Sequence, residues 1–440
     1  MQRHQNNLGG SPVVIRINEL TKIEGHGSLV INVKDKRVEE LRLDVPEGSR
    51  FFEPLLVGRK YSEATEISSR ICGICAIPHY FTALKAIEQA LDVEPSDQTV
   101  NLRKLLYLAG DLQSHVAHIY FLALPDYLGY ESAFMMAKDH PEDVKRALRM
   151  RKLGNDLIEA IGGRLIHVFT PIVGGFSSLP SRVKLEELLK RFKEAGDDVK
   201  ATVNLLGTVD LPEFERETEY LALTKKGTYP IYDGDEVAST NGKTFPAAKY
   251  CEEIKEFLVP YSTAKHSIHQ TTMKSFSVGP LARMNINRKY LSDNAKETID
   301  RIGAKFPSSN PFMYNFARTV EVVHYIDEIT RGLEELLEAG LKEEEPKVKI
   351  KAGEGVAATE APRGTLYYHF KLGGNGKIEY ANIITPTAQN LENMEEDLRA
   401  FVPQLLSLPK EKMILNLEEL IRAYDPCITC STHFLEVKFV

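Results

Sequence analysis

The residues of this chain best able to do chemistry are its five cysteines, four of which form two pairs of identical spacing. Cys72 and Cys75 lie in RICGICAIPHY, residues 70–80, and Cys427 and Cys430 lie in DPCITCSTH, residues 425–433. Cys-x-x-Cys lets two thiolates reach one metal from a single turn, so the two pairs brought together would form a tetrathiolate site. On spacing alone a structural zinc site is the commoner outcome, and a thioredoxin-like redox pair is weaker because it would have to account for both pairs. The neighbours shift the balance. Arg70 and Asp425 stand just before the pairs and His79 and His433 just after them, and such groups can hydrogen-bond sulfur and tune a reactive metal. Cys251 stands alone in mid-chain and reads as an incidental, buried or free thiol.

In these contexts, and with further motifs in the same order along the chain, the sequence resembles the large subunit of the nickel-iron hydrogenases. The resemblance implies that all four thiolates bind nickel, Cys72 and Cys427 terminally, while Cys75 and Cys430 bridge to an iron carrying carbon monoxide and cyanide. TKIEGH, residues 21–26, resembles the segment whose carboxylate relays protons from a terminal thiolate, which falls on Glu24; read by itself, Glu24 is a glutamate at a strand end. EAPRG, residues 360–364, resembles the loop that sets an arginine, here Arg363, over the open metal position, with Pro362 walling the diatomic pocket. ITPTAQN, residues 384–390, resembles the segment that binds a cyanide, through Thr387 here. RFFEPLLVGR, residues 50–59, resembles the segment that gives a carboxylate, Glu53, to a buried magnesium; His433 and a carbonyl at about Ile383 would complete its protein ligands. QSHVAHIY, residues 113–120, resembles a helix lining the site, with Ser114 where many membrane-linked members have aspartate. His115 and His118 read as hydrogen-bonded packing residues.

Once the paired cysteines are assigned, Cys251 alone cannot hold an iron–sulfur cluster, so electrons need a cluster-bearing small subunit. The form of the motifs looks most like the cytoplasmic multi-subunit members that exchange electrons with NAD(P) or another soluble carrier. That resemblance implies diaphorase-type partners with flavin and further iron–sulfur clusters. The nucleotide would sit on a partner, because no G-x-G-x-x-G opens a helix here. Residues 434–440, FLEVKFV, resemble the tail that a maturation endopeptidase removes after metal insertion. A membrane-associated energy-converting hydrogenase subunit and, from a different class, a non-catalytic zinc-stabilised scaffold are the competing readings.

The elements that must position these residues read as mixed α+β, a large helical core with peripheral antiparallel hairpins. VVIRI, SLVINV and VEELRLDV are strands, with KDK as a hairpin turn. PHYFTALKAIEQAL and the long stretch from Ser96 to Leu124 carry apolar residues at helical spacing, the second apolar enough to be central and buried. Helices continue over 141–201 around the loop TPIVGGFSSLPSR, residues 207–250 read as an irregular insertion, and a strong helix runs over 318–341. TLYYHFKLGGNGKIEYANII is a hairpin by its turn chemistry, and two short helices lead to the carboxyl terminus. The expected organisation is one large catalytic domain over residues 1–440.

The 440 residues are 43% apolar and 27% charged, with 55 basic and 62 acidic side chains, which is ordinary globular composition. A net charge of −7 gives no basic face for nucleic acid or anionic lipid. The amino terminus has no signal-peptide pattern and no run is apolar and long enough to span a bilayer, so the expected location is the cytoplasm without direct membrane insertion.

Overall fold

The computed structural model describes residues 13–432. His433 and the tail at 434–440, together with the roles expected of them, lie outside the described residues.

The chain opens with an antiparallel three-stranded sheet, Val13–Ile17, Ser28–Lys34 and Arg37–Asp44, in sequence order. Asp35 and Lys36 turn between the last two strands with φ of 49° and 63°, the positive pair that a two-residue hairpin with right-handed strand twist requires. Alternating Ile15, Leu29, Ile31, Leu41 and Leu43 are buried on the face that packs against the carboxyl-terminal helices.

The helical core is built on Ala76–Leu91 and Asp97–Ala117, packed with Pro141–Gly162 and Tyr314–Ala339. Asp97–Ala117 starts where the Ser96 hydroxyl accepts the Thr99 amide at 3.1 Å, the bond a helix needs for its orphan first-turn donors. From His118 to Ala123 the same helix widens into a π-turn before Leu124–Tyr127, a distortion that often marks functional sites.

A second antiparallel sheet, Gly353–Ala361, Gly364–Leu372 and Ile378–Ile384, lies against Ala76–Leu91. Its first strand, GEGVAATEA, carries no strand pattern in the sequence, because it lacks large apolar residues. The reason is packing: a Cβ at Gly355 would sit 2.0 Å from the Ala86 carbonyl oxygen, so only glycine lets strand and helix backbones approach this closely. Ala361 pairs with Gly364, so Pro362 and Arg363 form the tip of a tight hairpin.

Residues 219–277 form a four-stranded sheet from Glu219–Thr224, Glu236–Ser239, Thr244–Pro246 and Phe276–Ser277, plus the hairpin Ile254–Phe257 with His266–His269. The expected two short carboxyl-terminal helices are longer than that, Pro386–Leu405 with 20 residues and Lys410–Tyr424 with 15. Pro403 lies in the last turn of the first, where it removes one helical hydrogen bond. Among the described residues, no helix is long and apolar enough to cross a membrane.

Candidate metal centre

The two cysteine pairs meet in the interior. All four sulfurs lie within 4.8 Å of one another, and Cys72, Cys75, Cys427 and Cys430 are 2%, 4%, 1% and 3% exposed. Cys72 ends the loop after the helix Tyr61–Ser69, and Cys75 is the residue from which Ala76–Leu91 starts. The Cys75 amide donates to the Cys72 sulfur at 3.3 Å, which folds the first pair into one turn. Cys427 and Cys430 flank the start of the short helix Ile428–Ser431, with their sulfurs 2.7 Å apart, and the Cys427 sulfur is 3.3 Å from that of Cys72. None of the four is in a disulfide.

Glu24 reaches the pocket from the amino-terminal segment. It forms a parallel bridge with Cys427, and its carbonyl accepts the Ile428 amide at 2.9 Å. Its carboxylate accepts from the Cys427 thiol at 3.1 Å, the Thr429 amide at 3.1 Å and the Thr429 hydroxyl at 2.5 Å. Gly25 permits this approach: it has φ +84°, and a Cβ there would meet Ile428 Cβ at 2.7 Å. Arg422 steadies the segment by donating to the Thr21 carbonyl and hydroxyl, both at 2.9 Å, and to Asp126 at 2.7 Å.

Arg363 enters from the other side at its hairpin tip. Its Nη1 donates to the Cys75 sulfur at 3.0 Å, while Nε and Nη2 grip the Asp425 carbonyl at 2.8 Å and carboxylate at 2.9 Å. Burial alone would raise the Asp425 carboxyl, but Arg363, His118 and Arg318 hold it below the usual range, so the pair is ionised. Asp425 itself has φ 55° and ends Lys410–Tyr424. Arg318 caps that helix end through the Ala423 and Tyr424 carbonyls at 2.6 and 3.1 Å.

The hairpin tip is in turn fixed by Arg283, which is fully buried. It donates to Glu321 at 2.6 and 2.7 Å, to Glu360 at 3.0 Å and to the Ala361 carbonyl at 2.9 Å. Its weaker contact with the Pro362 carbonyl, at 3.5 Å, places Pro362 between this network and Arg363.

The remaining expected residues divide. The Thr387 hydroxyl, in the first turn of Pro386–Leu405, accepts the Cys427 amide at 3.0 Å. His79 is buried beside Tyr368, ring nitrogen to hydroxyl 2.7 Å. Glu53 and Ile383 are adjacent, but it is the Ile383 amide that donates to the carboxylate, at 2.7 Å, with the Asn382 side chain at 3.1 Å. Thr432, the last described residue, accepts the Arg50 amide at 2.7 Å, so the carboxyl-terminal segment reaches the strand of chain that carries Glu53. Arg70 does not join the sulfurs: it is exposed and pairs with Glu66 at 3.2 Å. Cys251 is exposed rather than buried. His115 bonds Glu321 and His118 the Arg422 carbonyl, both at 2.7 Å. Arg283, Arg318 and Arg422 gave no sequence signal, because an isolated arginine in a helix looks the same whether it faces solvent or a buried carboxylate.

The donor set fits a soft, redox-active metal pair. Burial pushes the Cys427 and Cys430 thiols well above their ordinary range, while hydrogen bonds from Cys427, Cys430 and Cys75 hold Cys72 low. Four sulfurs crowded this closely all ionise only against a compensating cation, and thiolate sulfur selects soft transition metals. Arg363 and Glu24, each bonded to a cysteine of a different pair, add a fixed charge and a proton acceptor that an inert zinc knuckle has no use for.

A buried tetrathiolate with an acid-base group on one side and a clamped guanidinium on the other defines a redox metalloenzyme. The sequence matches the nickel-dependent hydrogenase family over residues 50–168 and 210–433, and the chain belongs to that family as its large, catalytic subunit, an oxidoreductase acting on hydrogen. It is similar to sulfhydrogenase 1 subunit alpha of Pyrococcus furiosus, 37% identical over 96% of this chain and 98% of that one. Sulfhydrogenase 2 subunit alpha of the same organism is 34% identical over 97% of this chain and all of that one. A crystal structure of an NAD+-reducing [NiFe]-hydrogenase in the H2-reduced state superposes with a TM-score of 0.84 at 28% identity, covering 97% of this chain and 100% of that chain.

Proposed function

We propose that this chain is the catalytic subunit of a complex that interconverts hydrogen with protons and electrons in either direction, passing electrons to an iron–sulfur small subunit and onward to NAD(P) or another soluble carrier. The observation that carries the reading is the convergence of Cys72, Cys75, Cys427 and Cys430, from both ends of the chain, with Glu24 and Arg363 bonded to different pairs.

In this reading Cys72 and Cys427 would hold nickel, and Cys75 and Cys430 would hold both the nickel and an iron carrying carbon monoxide and cyanide. Pro362, Arg363 and Thr387 border those ligands and His79 supports the pocket wall. Glu53, the Ile383 carbonyl and His433 would hold magnesium, and Glu53 lies beside Ile383, whose amide it accepts. When bound, the bimetallic centre supplies heterolytic splitting of hydrogen and takes up the electrons. The protein handles the proton. The Cys427 sulfur is the donor nearest Glu24, whose other contacts, the Thr429 amide and hydroxyl, hold its carboxylate in line with that sulfur. Arg363 keeps a positive charge over the pocket because Asp425 fixes it at two points, an electrostatic element that costs no reorganisation during reaction.

Electrons leave through a partner, since the fifth cysteine, Cys251, is exposed and remote in sequence from the site. Exposed Phe51, Leu55, Val57, Ile74, Leu165, Ile166 and Phe169 support a docking face beside the first cysteine pair. Arg50 bonds the Arg70 and Ile71 carbonyls and Ser69 bonds His167, which ties these three segments into one surface. The NAD+-reducing relative supports an NAD-linked electron route; diaphorase-type partners with flavin and further iron–sulfur clusters, in a cytoplasmic complex, belong to the same proposal. The tail at 434–440 is the substrate of a maturation endopeptidase, and the rest of the chain, with its insertion at 207–250, acts as one catalytic domain. Cys430→Ser is expected to abolish hydrogen-dependent dye reduction by the purified complex; retained turnover would overturn the bridging assignment.

A further inference from the structure

The pocket has a second acidic group near it that the reading above does not use. Asp111 lies on Asp97–Ala117 one turn before Ser114, is fully buried, and neither carboxyl oxygen has a hydrogen-bond partner. Residues three apart share a helix face, and Ser114 sits 3.5 Å from Arg363 Nη1, so Asp111 lies on the side of the pocket where Arg363 meets Cys75. The groups that act on its charge are Arg283 from Pro280–Asn287, Glu321 and Tyr325 from Tyr314–Ala339, Glu360 and Arg363 from the hairpin, and Tyr107 from its own helix.

Asp111 is not alone in lacking partners. The Tyr325 hydroxyl, also fully buried, has none. Tyr325 stacks on His115 at 5.6 Å between ring centroids, and His115 Nδ1 is unpaired as well. Leaving a buried polar group unbonded is costly, and here two carboxyl oxygens, a hydroxyl and a ring nitrogen each bear that cost. Ordered water, which makes about three bonds inside proteins, removes that cost where several such groups face one another. Burial also pushes the Asp111 carboxyl well above the usual carboxylate range, despite the opposing charge of Arg283. A neutral carboxyl both donates and accepts.

We propose that Asp111 and Tyr325 enclose ordered water behind Arg363, and that Asp111 carries protons between this water and the sulfur pocket, on the opposite side from Glu24. One Asp111 oxygen takes a proton from water on the Arg363 side while the other releases its proton to water on the Tyr325 side. The carboxyl is neutral before and after, and nothing is oxidised or reduced. The inference deepens the hydrogenase reading, but its structural half stands without bound metals.

The test is infrared spectroscopy of the purified full chain, before metal insertion, at neutral pH and after transfer to D2O. A protonated-carboxyl band is expected that disappears in Asp111→Asn and shifts promptly in D2O, because water reaches the group. In Tyr325→Phe, which removes the other water partner, the same band should exchange at least about tenfold more slowly. In the assembled complex, Asp111→Asn should slow hydrogen–deuterium exchange by a factor on the order of ten to a hundred, and Asp111→Glu should restore part of it. A carboxyl that is ionised, or protonated but locked against exchange in the wild type, would overturn the proposal. So would unchanged exchange in both variants. An infrared result as expected, with an assembled complex that does not turn over hydrogen, would reject the hydrogenase reading and leave the hydrated site standing.

Discussion

The thiol of Cys427 has a carboxylate 3.1 Å away, and that carboxylate, Glu24, accepts three bonds from the same short carboxyl-terminal segment. A group so placed accepts a proton without moving, which is the geometric requirement for general-base transfer. Glu24→Gln keeps the shape and removes the base. Hydrogen turnover by the assembled complex should fall by about 10²–10⁴ with nickel content unchanged; turnover within twofold of the wild type would remove Glu24 from the route. The cysteines, Glu24, Arg363 and Thr387 were legible in the sequence because each sits in a short motif whose neighbours are as informative as the residue. Asp425 was legible only as a neighbour of Cys427, and its grip on Arg363, some sixty positions away in sequence, has no local signature.

Elements bring the motifs together, and the buried arginines do much of that placing. Arg283 joins Pro280–Asn287, Tyr314–Ala339 and the hairpin strand Gly353–Ala361 through Glu321, Glu360 and the Ala361 carbonyl. Arg283→Met would leave two carboxylates buried without their counter-ion, and removing one partner of such a set costs about 3–5 kcal/mol. A lowered denaturant midpoint and loss of the correctly placed Arg363 are expected; an unchanged midpoint would mean that the hairpin is held by packing alone. Long periodic helices and the amino-terminal hairpin could be read from the sequence, since their apolar spacing is regular. The strand Gly353–Ala361 could not, because close packing on Ala76–Leu91 demands glycine and alanine where a strand signal would show branched residues. The irregular stretch at 207–250 was visible as turn chemistry, but its sheet is completed by Phe276–Ser277, a parallel pairing with Glu219–Thr224 that no local pattern announces.

At the scale of the whole molecule, burial shifts titrating groups both ways, holding His115 and His118 neutral while raising the carboxyls of Asp111 and Glu419. Burial pulls His115 down to about 4, against the favourable Glu321 bond, and pulls His118 down to about 3. In the unfolded chain both titrate near about 6.5. Below that value the unfolded state binds more protons than the folded one, so stability falls with pH, through about 4 for His115 and about 3 for His118. Burial raises Glu321, but Arg283 and His115 outweigh it and hold it low, so its loss runs in the same direction. Burial raises the Asp111 and Glu419 carboxyls, which act the opposite way, so the histidine share is read by difference: a His118→Gln chain, free of metal, should lose less denaturant midpoint between pH 7 and pH 5 than the wild type; an identical pH dependence would contradict the burial of His118 as a neutral group. The same interior closes around the four cysteines, which join an amino-terminal and a carboxyl-terminal segment. Elemental analysis of the purified complex tests that account most directly. A nickel ion is expected for each copy of this chain, lost together with hydrogen turnover in Cys430→Ser; zinc in its place, with no nickel in the wild-type complex, would overturn the nickel assignment.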